Sequence, residues 1–172
     1  MTSGRVFYGA AIQGNKDRDE RAAINARFIQ AIKEEGFDVA TEHTTSTNYG
    51  EAARLLEGSI GPLPPKGRQR TIYVRDKMIG AVESDLAAAI FELSVPSIGT
   101  GIEFAHAYLR PKTGHPEIPI LVLYEKDYWP QGLSSMVKGA AWGEAENIMI
   151  SEYGSVDDGR AKIKDFLESI EK

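Results

Sequence analysis

A regular alternation of short apolar runs with segments of helical periodicity restricts the fold of this chain more than any other feature. Five apolar runs have the length of buried strands, at residues 6–10, 37–41, 86–93, 118–124 and 147–151. Helical patterns lie between and after them, at residues 17–35, 69–84, 100–110, 134–140 and 156–171. This alternation predicts right-handed crossovers and a mostly parallel sheet that carries helices on both faces.

The predicted fold is therefore an α/β three-layer sandwich of flavodoxin-like or Rossmann-like form, with about five mostly parallel strands. A chain of 172 residues is long enough for one hydrophobic core and short for two, so we expect a single domain over residues 1–172. Ligands of such sheets bind beyond the carboxyl ends of the strands, which places a site in the loops after residues 10, 41, 93 and 124. The segment at residues 58–70, rich in proline and glycine, is typical of a surface loop or lid.

Composition and charge exclude several classes of function. The chain has 42% hydrophobic and 26% charged residues, as globular proteins do, and its net charge of −5 disfavours binding to a nucleic-acid polymer. Cysteine is absent and the histidines, His43, His106 and His115, lack the spacing of metal ligands, so we expect neither a metal site nor a cofactor. We also expect no signal peptide and no membrane-spanning helix, which makes the cytosol the expected compartment and leaves the nucleus open.

The segment VPSIGTGIEFAHA follows the third apolar run and opens a helical pattern. It places Ser97, Gly99, Thr100 and Gly101 at the N-terminus of a helix. Unpaired backbone N–H groups and the helix dipole favour an anion at such a place, and glycines let a phosphate approach the backbone. This loop is therefore a candidate anion-binding site.

Glu103, in the same segment, has two interpretations. Thr100 and Glu103 have the T-x-x-E spacing of a capping box, which needs no ligand. Alternatively, Glu103 converges with Asp76 and Asp85 at the end of the third strand, where carboxylates would suit cleavage of a glycosidic bond. A solvated helix residue would equally explain Asp76, and a turn or capping residue would explain Asp85.

Three further features could belong to a site or to the scaffold. His43 follows the second predicted strand and either reaches the same cleft or caps its own loop. The arginines of the segment 66–70 are typical of solvated surface charge. Tyr128 and Trp129 either cover a base or fill a hydrophobic corner.

Taken together, these residues resemble a known family. The segments FYGAAIQG, TEH, YVRD, SVPSIGTGIEFAHA and LSSMVKGA occur in the order seen in the nucleoside 2-deoxyribosyltransferase superfamily, and they most resemble the 2′-deoxynucleoside 5′-phosphate N-hydrolases. The resemblance covers residues 5–141, and PSIGTGIE and LSSMVKGA are its most specific parts. It implies that Glu103 attacks C1′ of the sugar and that Ser97 and Gly99 hold the 5′-phosphate.

The resemblance also implies a partner and further site residues. Ser134 matches the serine that reaches the phosphate from a neighbouring subunit, which implies a homodimer with shared active sites. Asp76 matches the aspartate that hydrogen-bonds or protonates the departing base, and His43 matches the histidine after TE. Asp85 is a less direct match, because the stretch from Asp85 to Glu103 is longer than in the family.

The first strand departs from the family pattern. The family's strand supplies a tyrosine that orients the nucleophile; the aligned residue is Phe7, with Tyr8 one place away as the substitute. In the following turn, Ile12 and Gln13 match substrate-binding positions, and Gln13 stands where the family has an arginine near the phosphate. Arg68, Arg70 or Lys138 would then supply the missing charge.

The implied reaction is hydrolysis of the N-glycosidic bond of 2′-deoxynucleoside 5′-monophosphates through an ester between the sugar and Glu103. A nucleoside 2-deoxyribosyltransferase shares the first half of this reaction. In that enzyme a second base, rather than water, attacks the ester. Gly99, Thr100 and Glu103 also fit the G-T-x-x-E of ribonucleotide phosphoribohydrolases. A flavodoxin-like nucleotide-binding domain without catalysis would need only the anion-binding loop.

Overall fold

Five parallel strands form the centre of the structure, a computed structural model that describes residues 4–12, 17–128, 132–143 and 145–170. The spatial order of the strands is β2-β1-β3-β4-β5, the order of flavodoxin-like sheets, so the predicted α/β three-layer architecture is confirmed. The strands are β1 (Arg5–Ala10), β2 (Asp38–Val39), β3 (Ala88–Glu92), β4 (Ile120–Glu125) and β5 (Ile148–Tyr153).

Helices cover both faces of the sheet. One face carries α1 and α6, which pack on each other, and the opposite face carries α3, α4 and α5. Among the residues described, no helix is both long and apolar enough to span a membrane. The helices are α1 (Arg18–Glu34), α2 (Tyr49–Ile60), α3 (Arg68–Glu83), α4 (Ile98–Tyr108), α5 (Ser135–Gly143) and α6 (Val156–Ile170).

The direction of winding reverses between β1 and β3. The chain leaves β1 for α1 on one face, whereas it leaves β3 for α4 on the other, and ligands of such sheets bind in the crevice outside the carboxyl ends at this point. The Phe91 side chain lies close to the backbone of β1 at its strand partner Gly9. A Cβ on Gly9 would lie only 2.6 Å from Cδ1 of Phe91. Glycine at position 9 therefore lets the Phe91 ring lie directly against β1.

Each face of the sheet buries its own apolar cluster. Successive residues of a strand point to opposite faces, so Phe7 and Phe91 belong to the cluster under α3, α4 and α5, whereas Tyr8 and Ile90 belong to the cluster under α1 and α6. All five residues of β3 are buried, as expected for the central strand of a parallel sheet.

The sequence patterns do not predict α2, and the loop expected over residues 58–70 is shorter in the structure. α2 extends to Ile60 and α3 begins at Arg68, so only residues 61–67 connect them. α2 has no fully buried residue, so core burial does not mark it, although residues 51–57 are all strong helix formers. Its start does carry a signal, because the Asn48 side chain accepts a hydrogen bond from the Glu51 backbone N–H at 2.9 Å.

We predict that Gly159→Ala destabilises the fold, because α6 approaches α1 at this glycine. A Cβ at position 159 would lie 2.5 Å from Cζ of Phe28, whose side chain is fully buried. The free energy of unfolding, measured by urea denaturation, should fall by about 1–3 kcal/mol, the usual cost of overpacking.

Gly80→Ala is the matched control for this substitution. Gly80 is exposed in α3, and a Cβ there would meet no atom within 4 Å. Alanine in place of glycine at an open helical position should add about 0.5–1 kcal/mol of stability. Equal effects of the two substitutions would contradict the close packing of α6 on α1.

Candidate active site

The helix α4 begins earlier in the sequence than it would if Thr100 were its N-cap. α4 begins at Ile98, and the Oγ of Ser97 accepts a hydrogen bond from the Thr100 backbone N–H at 3.4 Å. Ser97 is therefore the N-cap, and Glu103 lies in the second turn rather than at the third helical position of a capping-box glutamate. This corrects the capping-box interpretation of Thr100 and Glu103.

Glu103 carries a partly buried carboxylate. Within residues 4–12, 17–128, 132–143 and 145–170 it forms no hydrogen bond or ion pair. Burial raises the pKa of Glu103 to about 7. Such a carboxylate is about half ionised at neutral pH, and without donors to stabilise its charge it is suited to attack an electrophilic carbon.

A cleft of about 540 Å³ lies between the N-terminal ends of α4 and α5. Ser97 and Ser134 both line it, so the structure brings these two predicted phosphate ligands together within one chain. Ser134 is exposed just before α5, and its Oγ accepts a hydrogen bond from the Met136 backbone N–H at 3.2 Å. Two helix N-termini at one cleft favour an anion between them. Gly99 is exposed in the first turn of α4, and neither Gly99 nor Glu103 lines this cleft.

His43 lies at the carboxyl edge of the sheet. It begins a short 3₁₀ turn, His43–Thr45, shortly after β2. Its Nδ1 atom is buried and has no hydrogen-bond partner in the part of the chain that the structure describes. Burial lowers the pKa of His43 to about 4, so the imidazole is neutral near pH 7 and acts as a hydrogen-bonding group rather than a charge.

The structure does not bring a tyrosine from β1 to Glu103. The Tyr8 hydroxyl points to the α1 face, where it donates a hydrogen bond to Oδ1 of Asn25 at 2.7 Å. Since α4 covers the opposite face, Tyr8 is separated from Glu103 by the sheet, and the expectation that it orients the nucleophile is not met. Phe7 does lie on the α4 side, but it is fully buried against Phe91, with ring centroids 5.7 Å apart.

Asp76 and Asp85, the other two predicted carboxylates, are both exposed. Asp76 is midway along α3, its side chain is 58% exposed, and it pairs with the neighbouring Arg75 at 3.0 Å, as a solvated helix residue would. Asp85 is exposed and precedes β3, so it lies at the amino edge of the sheet, opposite the edge at which the loop to α4 begins. The structure therefore does not bring Asp85 to Glu103.

The turn after β1 is described only in part. Ile12 is partly buried and lies at the carboxyl edge directly beyond the strand. Gln13 and Trp129 lie outside the described residues. Tyr128 lies over the guanidinium group of Arg21, 4.1 Å from its centre to the ring centroid, a contact that favours a packing role for this ring.

Sequence analysis missed a group of polar residues at the carboxyl edge, which we call the Glu92 cluster. It consists of Arg21, Glu92, Ser94, Glu125 and Tyr153, which come from α1, the ends of β3 and β4, and β5. Two signals for it exist in the sequence. Glu92 interrupts the apolar run LAAAIFEL, and Arg21 lies in α1 beside the buried Ala22.

We predict that Glu103→Gln stabilises the protein at high pH. The folded pKa of about 7 lies above the ordinary 4.5, so the folded state binds the proton more tightly and the stability of the wild type falls as the pH rises through this window. Glutamine removes this cost. Above pH 7 the free energy of unfolding of Glu103→Gln should exceed that of the wild type by up to about 3 kcal/mol, and at pH 4 the difference should vanish.

Thermal unfolding between pH 4 and pH 9 measures this effect. Glu117→Gln is the matched control, because Glu117 is exposed just before β4 at the other edge of the sheet. A Glu103→Gln variant that loses stability at every pH would show that the carboxylate is not held at a desolvated position.

Comparison with known proteins supports the family suggested by the motifs. No family model matches the chain. A protein of Thermofilum pendens (strain DSM 2475 / Hrk 5) with the name "Putative 2'-deoxynucleoside 5'-phosphate N-hydrolase 1" is 29% identical over 163 residues, which cover 95% of this chain and 94% of the relative. This near-complete coverage confirms the resemblance to the 2′-deoxynucleoside 5′-phosphate N-hydrolases.

Proposed function

We propose that this protein hydrolyses the N-glycosidic bond of 2′-deoxynucleoside 5′-monophosphates, with Glu103 as the nucleophile, and releases the free base and deoxyribose 5-phosphate. The observation that carries the proposal is the Glu103 carboxylate, partly buried and without a partner in the described residues, six residues beyond a serine-capped helix N-terminus. The relative's name supports the substrate class, and the chain aligns with that relative over nearly its whole length.

In the proposed first step an ionised oxygen of Glu103 attacks C1′ of the sugar. The bond between C1′ and the base nitrogen breaks, and its electron pair leaves with the base, which gains a proton. Asp76, or water at its exposed position on α3, assists this departure. In the second step water attacks C1′, the ester breaks, and the Glu103 carboxylate is restored as the sugar gains a hydroxyl group. The proton that this water releases replaces the one that the base gained in the first step.

The substrate phosphate binds, in this proposal, at the N-terminus of α4. The Ser97 hydroxyl already faces the first turn of the helix and lines the cleft between α4 and α5. Backbone N–H groups at a helix N-terminus favour an anion, which offsets the unfavourable net charge of −5. His43 is proposed to bind the sugar or base as a neutral hydrogen-bonding group.

Incubation of the purified protein with a panel of deoxynucleoside monophosphates, ribonucleoside monophosphates and deoxynucleosides tests the activity. We predict release of free base, resolved by chromatography, with 5′-monophosphates preferred over nucleosides. Glu103→Gln should lower the rate by about a thousandfold or more, whereas Glu117→Gln should keep it. Ser97→Ala should lower the ratio of kcat/KM for the 5′-monophosphate to kcat/KM for the nucleoside by about 10- to 100-fold, because charge-assisted hydrogen bonds contribute that much.

The pH profile separates a nucleophile from a general acid at Glu103. A nucleophile must be ionised, so kcat/KM should rise with pH and level off above the Glu103 pKa of about 7. A rate that falls through the same pH range would assign Glu103 as an acid instead. An assay with an acceptor base decides between hydrolase and deoxyribosyltransferase, because only the transferase forms a new nucleoside.

We also propose that the protein acts as a homodimer whose active sites are shared. Apolar side chains of α4 and α5 remain exposed, and a second copy would cover them: Ile98 is 87% exposed, Met136 84% and Trp142 78%. Ile98 and Met136 line the cleft between the two helices. Apolar patches of this kind are typical of protein interfaces. Ser134 would then serve the phosphate bound to a neighbouring subunit, although it also lines a cleft with Ser97 in its own chain.

Subunit mixing tests the shared site. Glu103→Gln and Ser134→Trp are each expected to be inactive, because the first lacks the nucleophile and the second blocks phosphate entry. If sites are shared, mixed dimers contain one site with neither defect, so mixing should restore up to about a quarter of the wild-type activity for random exchange. A tagged pull-down establishes exchange; exchange without restored activity would show that each site is built within one chain.

A further inference from the structure

The buried carboxylate of Glu92 receives several hydrogen bonds at one point. Its Oε1 atom accepts from the Tyr153 hydroxyl at 3.0 Å, from the Ser94 backbone N–H at 3.3 Å and from the Ser94 hydroxyl. Arg21 lies 3.9 Å away and also contacts Tyr153 and Glu125. The carboxylate is therefore fixed by groups from α1, the β3–α4 loop and β5.

Ser94 links the Glu92 carboxylate to the loop that leads into α4. Its hydroxyl donates to Glu92 and at the same time accepts from the Glu125 backbone N–H at 2.7 Å, which joins the loop to the end of β4. Ser94 is buried and lines the same cleft as Ser97. Only Val95 and Pro96 separate the two serines, and proline restricts its own φ and the backbone of the residue before it, so the position of Ser94 strongly limits that of Ser97.

Stability alone does not account for such a cluster. Charges taken out of water lose hydration, and apolar side chains of similar volume often stabilise a fold as well or better. A hydrogen-bonded polar cluster does restrict the arrangement of the groups that it joins. The groups joined here are the strand ends and the loop that lead to the proposed phosphate ligand and nucleophile.

We propose that Ser94 is a positioning residue, held by the buried Glu92 carboxylate, which fixes the β3–α4 loop and thereby places Ser97 and Glu103 for the reaction. This inference rests on the proposed function, but its geometry does not. Neither Ser94 nor Glu92 needs to touch the substrate. A purely structural role would instead lower stability and leave the properties of Glu103 unchanged.

The test compares Ser94→Ala with Ser94→Thr. Alanine removes both hydrogen bonds of the side chain, whereas threonine keeps the hydroxyl. Asn147→Ala is the matched control: it removes a hydrogen bond of 2.6 Å to the Ile118 carbonyl at the amino edge of the sheet. Measurements are made well below the unfolding temperature of each variant.

Two readouts are recorded for each variant. The first is kcat for base release from a deoxynucleoside monophosphate, which Ser94→Ala should lower by about 10- to 100-fold, because a small displacement of a reacting group has that effect. The second is the titration of the Glu103 carboxyl carbon by NMR, assigned with Glu103→Gln. Ser94→Ala should shift its midpoint away from that of the wild type, because α4 then holds the carboxylate in a different environment. Ser94→Thr should restore both values, and Asn147→Ala should change neither.

Tyr153→Phe extends the test through Glu92 itself. It leaves the residues of the β3–α4 loop unchanged and removes the Tyr153 hydroxyl, which donates to Glu92 and accepts from Arg21, and it replaces Ser94→Ala if that variant does not fold. We expect Tyr153→Phe to lower kcat and to shift the Glu103 titration, both by less than Ser94→Ala does. Wild-type kcat and an unshifted Glu103 titration in the folded variants would overturn the inference. A shifted titration in a protein that releases no base would support the positioning role and refute the proposed function.

Discussion

The pairing of β1 with β3 is the constraint on which the rest of the structure depends. β2 lies on one side of this pair and β4 and β5 lie on the other, so the chain must leave the two central strands toward opposite faces. The absence of a side chain at Gly9 lets the Phe91 ring lie against β1 at this point. The crevice above them is therefore a result of topology, and the loop to α4 enters it from one side only.

A buried glutamate, Glu92, and a partly buried one, Glu103, have contrasting surroundings. Glu92 is surrounded by donors from Ser94 and Tyr153 and lies near Arg21, which suits a group that holds its neighbours in place. Glu103 has no such donors in the described residues, and burial alone sets its raised pKa. Burial costs both groups hydration, but only the second remains available for chemistry. The difference in partners, rather than in residue type, separates a scaffold group from a candidate nucleophile.

Much of the fold was predictable from the sequence, because strands buried on both faces appear as continuous apolar runs separated by helical periods. α2 was not predictable by that rule, since it contributes no fully buried residue to the core. The choice between Ser97 and Thr100 as the cap of α4 depends on where β3 ends and the chain turns, which local sequence does not determine. The same holds for the faces of Phe7 and Tyr8: alternation separates them, but only the assembled sheet shows which side α4 covers. The Glu92 cluster joins segments distant in the chain, so no local pattern could assemble it.

The opposed charges of Arg21 and Glu92 also restrict how this protein can have diverged during evolution. Loss of Arg21 leaves the buried Glu92 carboxylate without an opposite charge among the described residues, at a cost of about 3–5 kcal/mol, which is a large part of the stability of an ordinary domain. Loss of Glu92, in contrast, leaves Arg21 paired with Glu125. Replacement of both by apolar side chains carries no such penalty. Descendants of this sequence can therefore exchange the pair for apolar side chains without a poorly folded intermediate only if Glu92 changes before Arg21 or both positions change together. We therefore expect positions 21 and 92 to covary among related sequences rather than to be invariant.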